Sequence, residues 1–290
     1  MRQRVLSGLI MAPMLLLIFF GGPLLLAGAF VVSFMAAGEY SKAFREKRIM
    51  SAEMKASIVF LYALAALHYP LGISGSQNFF LVELMPLWLA LTLFVVFLKS
   101  FNMKKFGTEQ AALTVMGTLY TGFLAVHIVL VDQRFSGEPL FSYPQAGSPW
   151  FTVGGFDSYV WIVVLAAFGC DIFAYFTGMA IGRHKLCPGI SPKKTVEGSI
   201  GGIVGSIAVC GVYGYFLIEG GFVTSLVLGA LCGVTAQFGD LTASVMKRSL
   251  GIKDWGTLIP GHGGILDRFD SVLFTAPTVY YSLLIMGVNR

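Results

Sequence analysis

Apolar runs of about 17 to 25 residues recur along the whole chain, broken by short polar segments, and such runs are the signature of bilayer-crossing helices. Nine spans are predicted, at roughly 4–20, 22–37, 55–72, 79–98, 110–132, 158–182, 197–218, 222–246 and 269–288. Gly21, Gly22 and Pro23 separate the first two: Gly-Gly breaks a helix and Pro starts the next. One long kinked span over 5–36 is the alternative, which lowers the total to eight. The segment 133–157, rich in Gly, Pro and Ser, reads as a long outside loop. No internal repeat and no soluble domain is visible. The expected fold is an all-α polytopic integral membrane protein in which 1–290 form a single membrane domain. Within it, 1–157 are N-terminal spans, and 158–290 hold the spans and cytoplasmic loops that carry the chemistry.

Composition agrees with this pattern. The 290 residues are 56% hydrophobic and 12% charged, with a mean hydropathy of +0.77, whereas a soluble domain carries about a quarter charged residues. The net charge of +5 matters less than its placement. With nine spans and a cytoplasmic N-terminus, eighteen of the twenty Lys and Arg residues fall on the inside, and only Arg134 and Arg290 fall outside. That satisfies the positive-inside rule and points to a multi-pass protein of the cytoplasmic (inner) membrane. Cations scattered over span ends form no nucleic-acid surface, so no nucleic-acid partner is expected. Arg2, Arg4, an apolar core and Ala27-Gly28-Ala29 imitate a signal peptide. Cleavage there would discard two inside charges and the partner of the second span, so the segment is expected to stay. The cysteines Cys170, Cys187, Cys210 and Cys232 form no CxxC pair and no zinc pattern.

Polar residues gather in three blocks of the C-terminal half, with their polar ends on the inner face. The first is "FGCDIFAYFTGMAIGRHKLCPGISPKKTVEGS", 168–199. Asp171 lies inside an apolar helix, where an ionised carboxylate costs roughly 2.5–3.5 kcal/mol on insertion scales, and Tyr175 and Gly178 share its face. It is either a structural carboxylate paired to a neighbouring helix or a functional one. Gly178 and Gly182 read as a small-xxx-small packing face, compatible with a homodimer. "SPKKT" is expected to open the next helix, with Ser191 as N-cap, Pro192 at its first position and Lys193, Lys194 and Thr195 in the first turn. Free backbone N–H groups and two lysines there would suit a polyanion such as a phosphate chain; a lipid head-group anchor is the plainer reading.

The second block, 236–256, places Asp240, Ser244 and Lys247 on one helical stripe, with Arg248 and Lys253 carrying positive charge into the loop. The third, "PGHGGILDRFD" at 260–270, offers bare backbone at Gly263 and Gly264 that could close on phosphates. His262 is a donor there or a plain loop histidine, and Arg268 adds a cation. Asp267 and Asp270 share one face at the start of the last helix. With Asp240 they are hard oxygen ligands suited to Mg²⁺, substrate phosphates completing the shell. Together the blocks describe a site at the membrane surface for metal-assisted phosphoryl or nucleotidyl transfer to a lipid. A transporter with an intramembrane Asp cation pathway is a rival, although the acids cluster at inner ends without a counterpart in the N-terminal half. A lipid-linked transferase with another nucleotide or a prenyl-phosphate acceptor is a second.

The stretch "SVMKRSLGIKDWGTLIPGHGGILDRFD", Ser244 to Asp270, resembles the signature of the phosphatidate cytidylyltransferases (CDP-diacylglycerol synthases) at every fixed position. "CDIFAYFTGMAIGRHKLCPGISPKKTVEG", Cys170 to Gly198, resembles that family's second block. The resemblance covers about 160–290; before 158 only hydrophobic spans are shared. It implies a Mg²⁺-dependent reaction of CTP with phosphatidate giving CDP-diacylglycerol and pyrophosphate. On this chain it implies that Asp240 and Asp267 hold the metal with Asp270 nearby. Lys193, Lys194, Lys247, Arg248 and Arg268 would neutralise phosphates, and Asp171 would orient the nucleotide or bind a second cation.

Overall fold

The computed structural model describes residues 15–67, 80–102, 106–135, 158–258 and 263–288. Of the loop expected over 133–157, residues 133–135 belong instead to the last turn of the helix Leu124–Phe135, and the rest, like His262, lies outside the described residues. Helices occur at every one of the nine predicted places: α1 (15–20), α2 (Gly22–Ala43), α3 (Ser51–Ala66), α4 (Phe80–Ser100), α5 (Thr108–Thr118), α6 (Leu124–Phe135), α7 (Val160–Ile181), α8 (Val196–Leu217), α9 (Phe222–Ser249) and α10 (Leu266–Ile285). A π-helical turn, Leu119–Phe123, joins α5 and α6 into one element. The protein is an all-α polytopic membrane protein. Among the described residues, five helices are long and apolar enough to cross a membrane: α2, the continuous Thr108–Phe135, α7, α8 and α9. Their outer faces bear Phe173, Phe176, Tyr215, Phe216 and Val223, all exposed, as a bilayer requires and water does not.

Gly21 (φ 60°) and Gly22 (φ 53°) reverse the chain. A side chain at Gly28 would collide with Leu17. In one straight helix those two residues would be about 16 Å apart, so the arms lie side by side as the two-span reading requires.

The C-terminal half packs in sequence, α7 along α8, α8 along α9 and α9 along α10, while α10 also packs on α6 and α7. Close approach of α7 and α8 depends on missing side chains: a Cβ at Gly202 would sit 2.9 Å from the Cys170 carbonyl oxygen and 3.0 Å from Ala174 Cβ. Buried polar groups are bonded across helices, as a water-free interior demands. Thr275 Oγ1 donates to Val163 O (2.9 Å) and Ser206 Oγ to Gly229 O (2.8 Å).

One expectation is corrected. "SPKKT" does not open a helix: Ser191–Thr195 is a strand (β2) antiparallel to Lys185–Cys187 (β1). The helix starts one residue later, at Val196, with Thr195 as N-cap accepting from Gly198 N (3.1 Å). The reasons are local. Pro188 and Gly189 occupy the corner of a tight turn closed by Ile190 N to Cys187 O (3.1 Å). Starting at Thr195 keeps two lysines out of the first turn and puts Glu197 there instead, which the helix dipole favours. The Glu197 carboxylate also pairs with His184 Nδ1 (2.6 Å) and accepts from Arg183 N (3.0 Å), closing the hairpin's base.

Candidate active site

Three elements converge where α9 ends and α10 begins. Along α9, Asp240 stands at the mouth, and Ser244 and Lys247 are buried one and two turns on. Asp240 forms an ion pair with Lys194 of β2, so the hairpin lysine meets the aspartate across two elements even though it is on a strand. Lys247 Nζ pairs with Asp267 Oδ1 at 2.7 Å, with the side chains 10% and 5% exposed. Removal of either partner would therefore leave a buried charge.

Asp267 also organises the loop. Its Oδ2 accepts from Trp255 N (2.8 Å) and Gly264 N (2.9 Å), and Gly263, at φ +84°, makes the turn that brings those amides together. Asp270, one turn on, is buried, and its Oδ1 accepts from Ser271 N (2.8 Å). It lies within electrostatic reach of Asp240, Lys247 and Asp171. Asp171 in turn feels Asp240, Lys194 and Arg268.

Beside this cluster, α7, the hairpin and α8 enclose a cavity of about 340 Å³ whose wall includes Asp171, Tyr175, Lys193, Lys194, Thr195 and Gln237. Asp171, Tyr175 and Gly178 line it together, as the helical spacing predicts. Gln237 is held there by Ser199, donating to its backbone O (2.9 Å) and accepting from its hydroxyl. Near the end of α9, Arg248 donates to Ile190 O (3.4 Å) and Ile252 O (3.1 Å), tying the hairpin turn to that helix end. Lys253 is exposed on the same loop.

Sequence reasoning placed no weight on the N-terminal half, and there it missed Glu39. The Glu39 carboxylate accepts from Ile265 N and Leu266 N, each at 2.9 Å, and so caps α10. Trp255 stacks on Tyr40, ring centroids 5.9 Å apart. The described amides of 264–266 are thus engaged by Asp267 and Glu39. The expected backbone cradle for phosphates is filled by the chain's own carboxylates at those positions, leaving Lys193, Lys194, Lys247 and Arg268 as the charge for an anion. The one signal for Glu39 was a carboxylate at the inner end of an apolar run.

Among the described residues no three Asp, Glu, His or Cys side chains surround one point. Mg²⁺ is commonly held by only one or two carboxylates, with waters and phosphates filling the shell. Asp240 and Asp270, mutually within reach, fit that demand; Asp267 has both oxygens in hydrogen bonds.

A model described as the cytidylyltransferase family matches residues 2–286. The chain belongs to this family. It is 35% identical over 297 residues to the phosphatidate cytidylyltransferase of Synechocystis sp., covering 98% of this chain and 97% of that protein. It is 39% identical over 131 residues to that of Bacillus subtilis, covering 45% and 49%, and 36% identical over 166 residues to that of Mycobacterium tuberculosis H37Rv, covering 57% and 47%. This cytidylyltransferase-family member is a transmembrane nucleotidyltransferase, and the clustered aspartates and lysines at the α9–α10 junction are its candidate centre.

Proposed function

We propose that the protein is a phosphatidate cytidylyltransferase that joins CTP and phosphatidate to give CDP-diacylglycerol and pyrophosphate in phospholipid biosynthesis. The observation that carries this reading is that Arg268 and Asp270 of the signature lie within electrostatic reach of Asp171, while Asp240 pairs with Lys194 beside a cavity of nucleotide scale. The names of the relatives support the two substrates. CTP would enter the Lys193/Lys194 cavity with its phosphates toward Asp240. An oxygen of the lipid phosphate, already ionised at neutral pH, attacks the α-phosphorus. The new P–O bond forms as the bond to the β-phosphate bridging oxygen breaks, and pyrophosphate leaves. No protein nucleophile is required. Lys194, Lys247 and Arg268 would balance the charge that develops.

Mg²⁺, when bound, would supply charge that stabilises the negative phosphate oxygens. Asp240 and Asp270 are the side chains proposed to hold it, with Asp267 fixing the loop beside them and Asp171 available for a second cation. The cluster of cations at these helix ends supports a cytoplasmic face of the inner membrane.

The test is pyrophosphate release by purified protein in detergent, given CTP, phosphatidate and Mg²⁺, next to Asp240→Asn. Release that requires all three and collapses in the variant supports the reading. Release with a different nucleotide or acceptor reassigns the substrates, and well-folded protein that releases none with any nucleotide removes the enzyme reading. The face is tested by labelling Lys253→Cys with a membrane-impermeant thiol reagent, which should react in inverted vesicles and not in right-side-out ones.

A further inference from the structure

We propose that the Tyr120 hydroxyl binds the phosphate of the lipid substrate, donating a hydrogen bond to one of its non-bridging oxygens. The inference rests on the phosphatidate reading above and assigns a residue of the N-terminal half to that site.

Tyr120 lies in the π-helical turn Leu119–Phe123. It is 4% exposed, and its hydroxyl oxygen has no hydrogen-bond partner among the described residues. It also stands within electrostatic reach of Asp270, Asp240 and Asp267. A buried donor left unmade costs stability, and phenylalanine would fill the same space without that cost. The nearby phenol of Tyr40 donates to Leu113 O (3.0 Å) and makes no hydrogen bond with the Tyr120 hydroxyl. A donor within electrostatic reach of Asp270 and Asp267, the latter paired with Lys247, is suited to an incoming oxyanion that this cation neutralises.

Two observations select the lipid over the nucleotide. The Lys193/Lys194 cavity lies among α7, the hairpin and α8, and Tyr120 is not in its wall. Tyr120 belongs instead to the continuous helix that walls an apolar cavity. Ala125 and Ile128 lie five and eight residues further along that helix. Both line an apolar cavity of about 70 Å³ with Leu25 and Gly28 of α2 and with Phe269 and Val272 of α10. Phe269 adjoins Asp270. A phenol within reach of the aspartates, on the helix that also walls a hydrocarbon-lined recess, suits a phosphate carried on an acyl glycerol.

The experiment compares wild type with Tyr120→Phe in three arms: steady-state kinetics, melting temperature of the free protein, and the melting shift produced by dioctanoyl phosphatidate or by inorganic phosphate. In the variant, kcat/KM for phosphatidate should fall roughly 10- to 100-fold, the scale of one hydrogen bond to a charged group. KM for CTP should not change. The free variant should melt no lower than wild type, since only an unpartnered hydroxyl is lost, and its shift with dioctanoyl phosphatidate should shrink. Inorganic phosphate at equal concentration should shift neither protein. Kinetics within twofold of wild type would overturn the inference, as would a loss confined to CTP or a lower melting temperature of the free variant. An equal shift with inorganic phosphate would overturn the lipid assignment. If wild type binds dioctanoyl phosphatidate but releases no pyrophosphate, the reaction reading fails while the binding comparison still decides the role of Tyr120. If wild type does not bind it, both fail.

Discussion

Asp267 and Lys247 illustrate how much one side chain can carry. Three hydrogen bonds converge on the Asp267 carboxylate from Lys247, Trp255 and Gly264. Asp267→Asn leaves the Lys247 ammonium buried without its counter-charge and turns an NH₂ toward one of these donors. The expected cost is about 3–5 kcal/mol, read by chemical denaturation in detergent, together with loss of turnover. Adding Lys247→Met should recover part of the stability and none of the activity. The Lys194–Asp240 pair is different, since both side chains are more than a quarter exposed. Lys194→Met should change stability by less than about 1 kcal/mol, yet lower kcat/KM for CTP at least roughly tenfold if that charge meets phosphate. A large loss of stability with unchanged kinetics would reverse that assignment. At this scale the sequence was informative where a helix repeats: the Asp240–Ser244–Lys247 stripe and the Asp267–Asp270 pair were legible from spacing alone. It was uninformative about partners. Spacing placed Asp267 beside Asp270, but nothing local showed that Asp267 would face Lys247 and two loop amides.

Among elements, the hairpin and the α7–α8 seam decide where the lysines stand. Helical signals in "SPKKT" were real, with Ser, Pro and a following apolar run, but two competing start sites lay four residues apart. The turn at Pro188-Gly189 and the acid at Glu197 favoured the later one, and that choice moved Lys194 onto a strand facing Asp240. The seam was partly legible as small-xxx-small spacing; its closeness was not. Gly202→Ala would place a methyl 2.9 Å from the Cys170 carbonyl oxygen and should push α7 from α8 at a cost of about 1–3 kcal/mol, with Asp171 displaced and activity lowered. Gly38→Ala on α2 is the contrast, because nothing lies within 4 Å of the added methyl. That variant should be unchanged or up to about 1 kcal/mol more stable through helix propensity. Equal melting temperatures for the two variants would mean that the seam relaxes freely.

For the whole molecule, the question is why a catalytic centre in the last 130 or so residues needs the spans before it. Hydropathy located those spans well but ended the second at 37, whereas α2 continues to Ala43 and carries Glu39 on its last turns. A carboxylate at a span end looks like any solvated residue. Its partners are 226 and 227 positions away, a separation that no local pattern reports. Glu39 occupies the N-terminus of α10, where a helix attracts anions, and Gly256 and Gly264 pack against its carboxylate, with room for no side chain. The N-terminal half is thus the backrest that sets the start of α10, and through it the positions of Asp267, Arg268 and Asp270. Glu39→Gln tests this with little change in shape. The amide keeps one acceptor for two N–H donors and presents its own NH₂ to the other, so about 1–3 kcal/mol of stability should be lost. Displacement of the α10 start by even an ångström should lower kcat by roughly a hundredfold. KM for CTP should stay nearly constant, because the Lys193/Lys194 cavity is built from α7, the hairpin, α8 and Gln237 of α9, whereas Glu39 bonds the start of α10. A variant that loses CTP affinity while keeping kcat would show instead that the N-terminal half shapes the nucleotide cavity, and the backrest reading would fail.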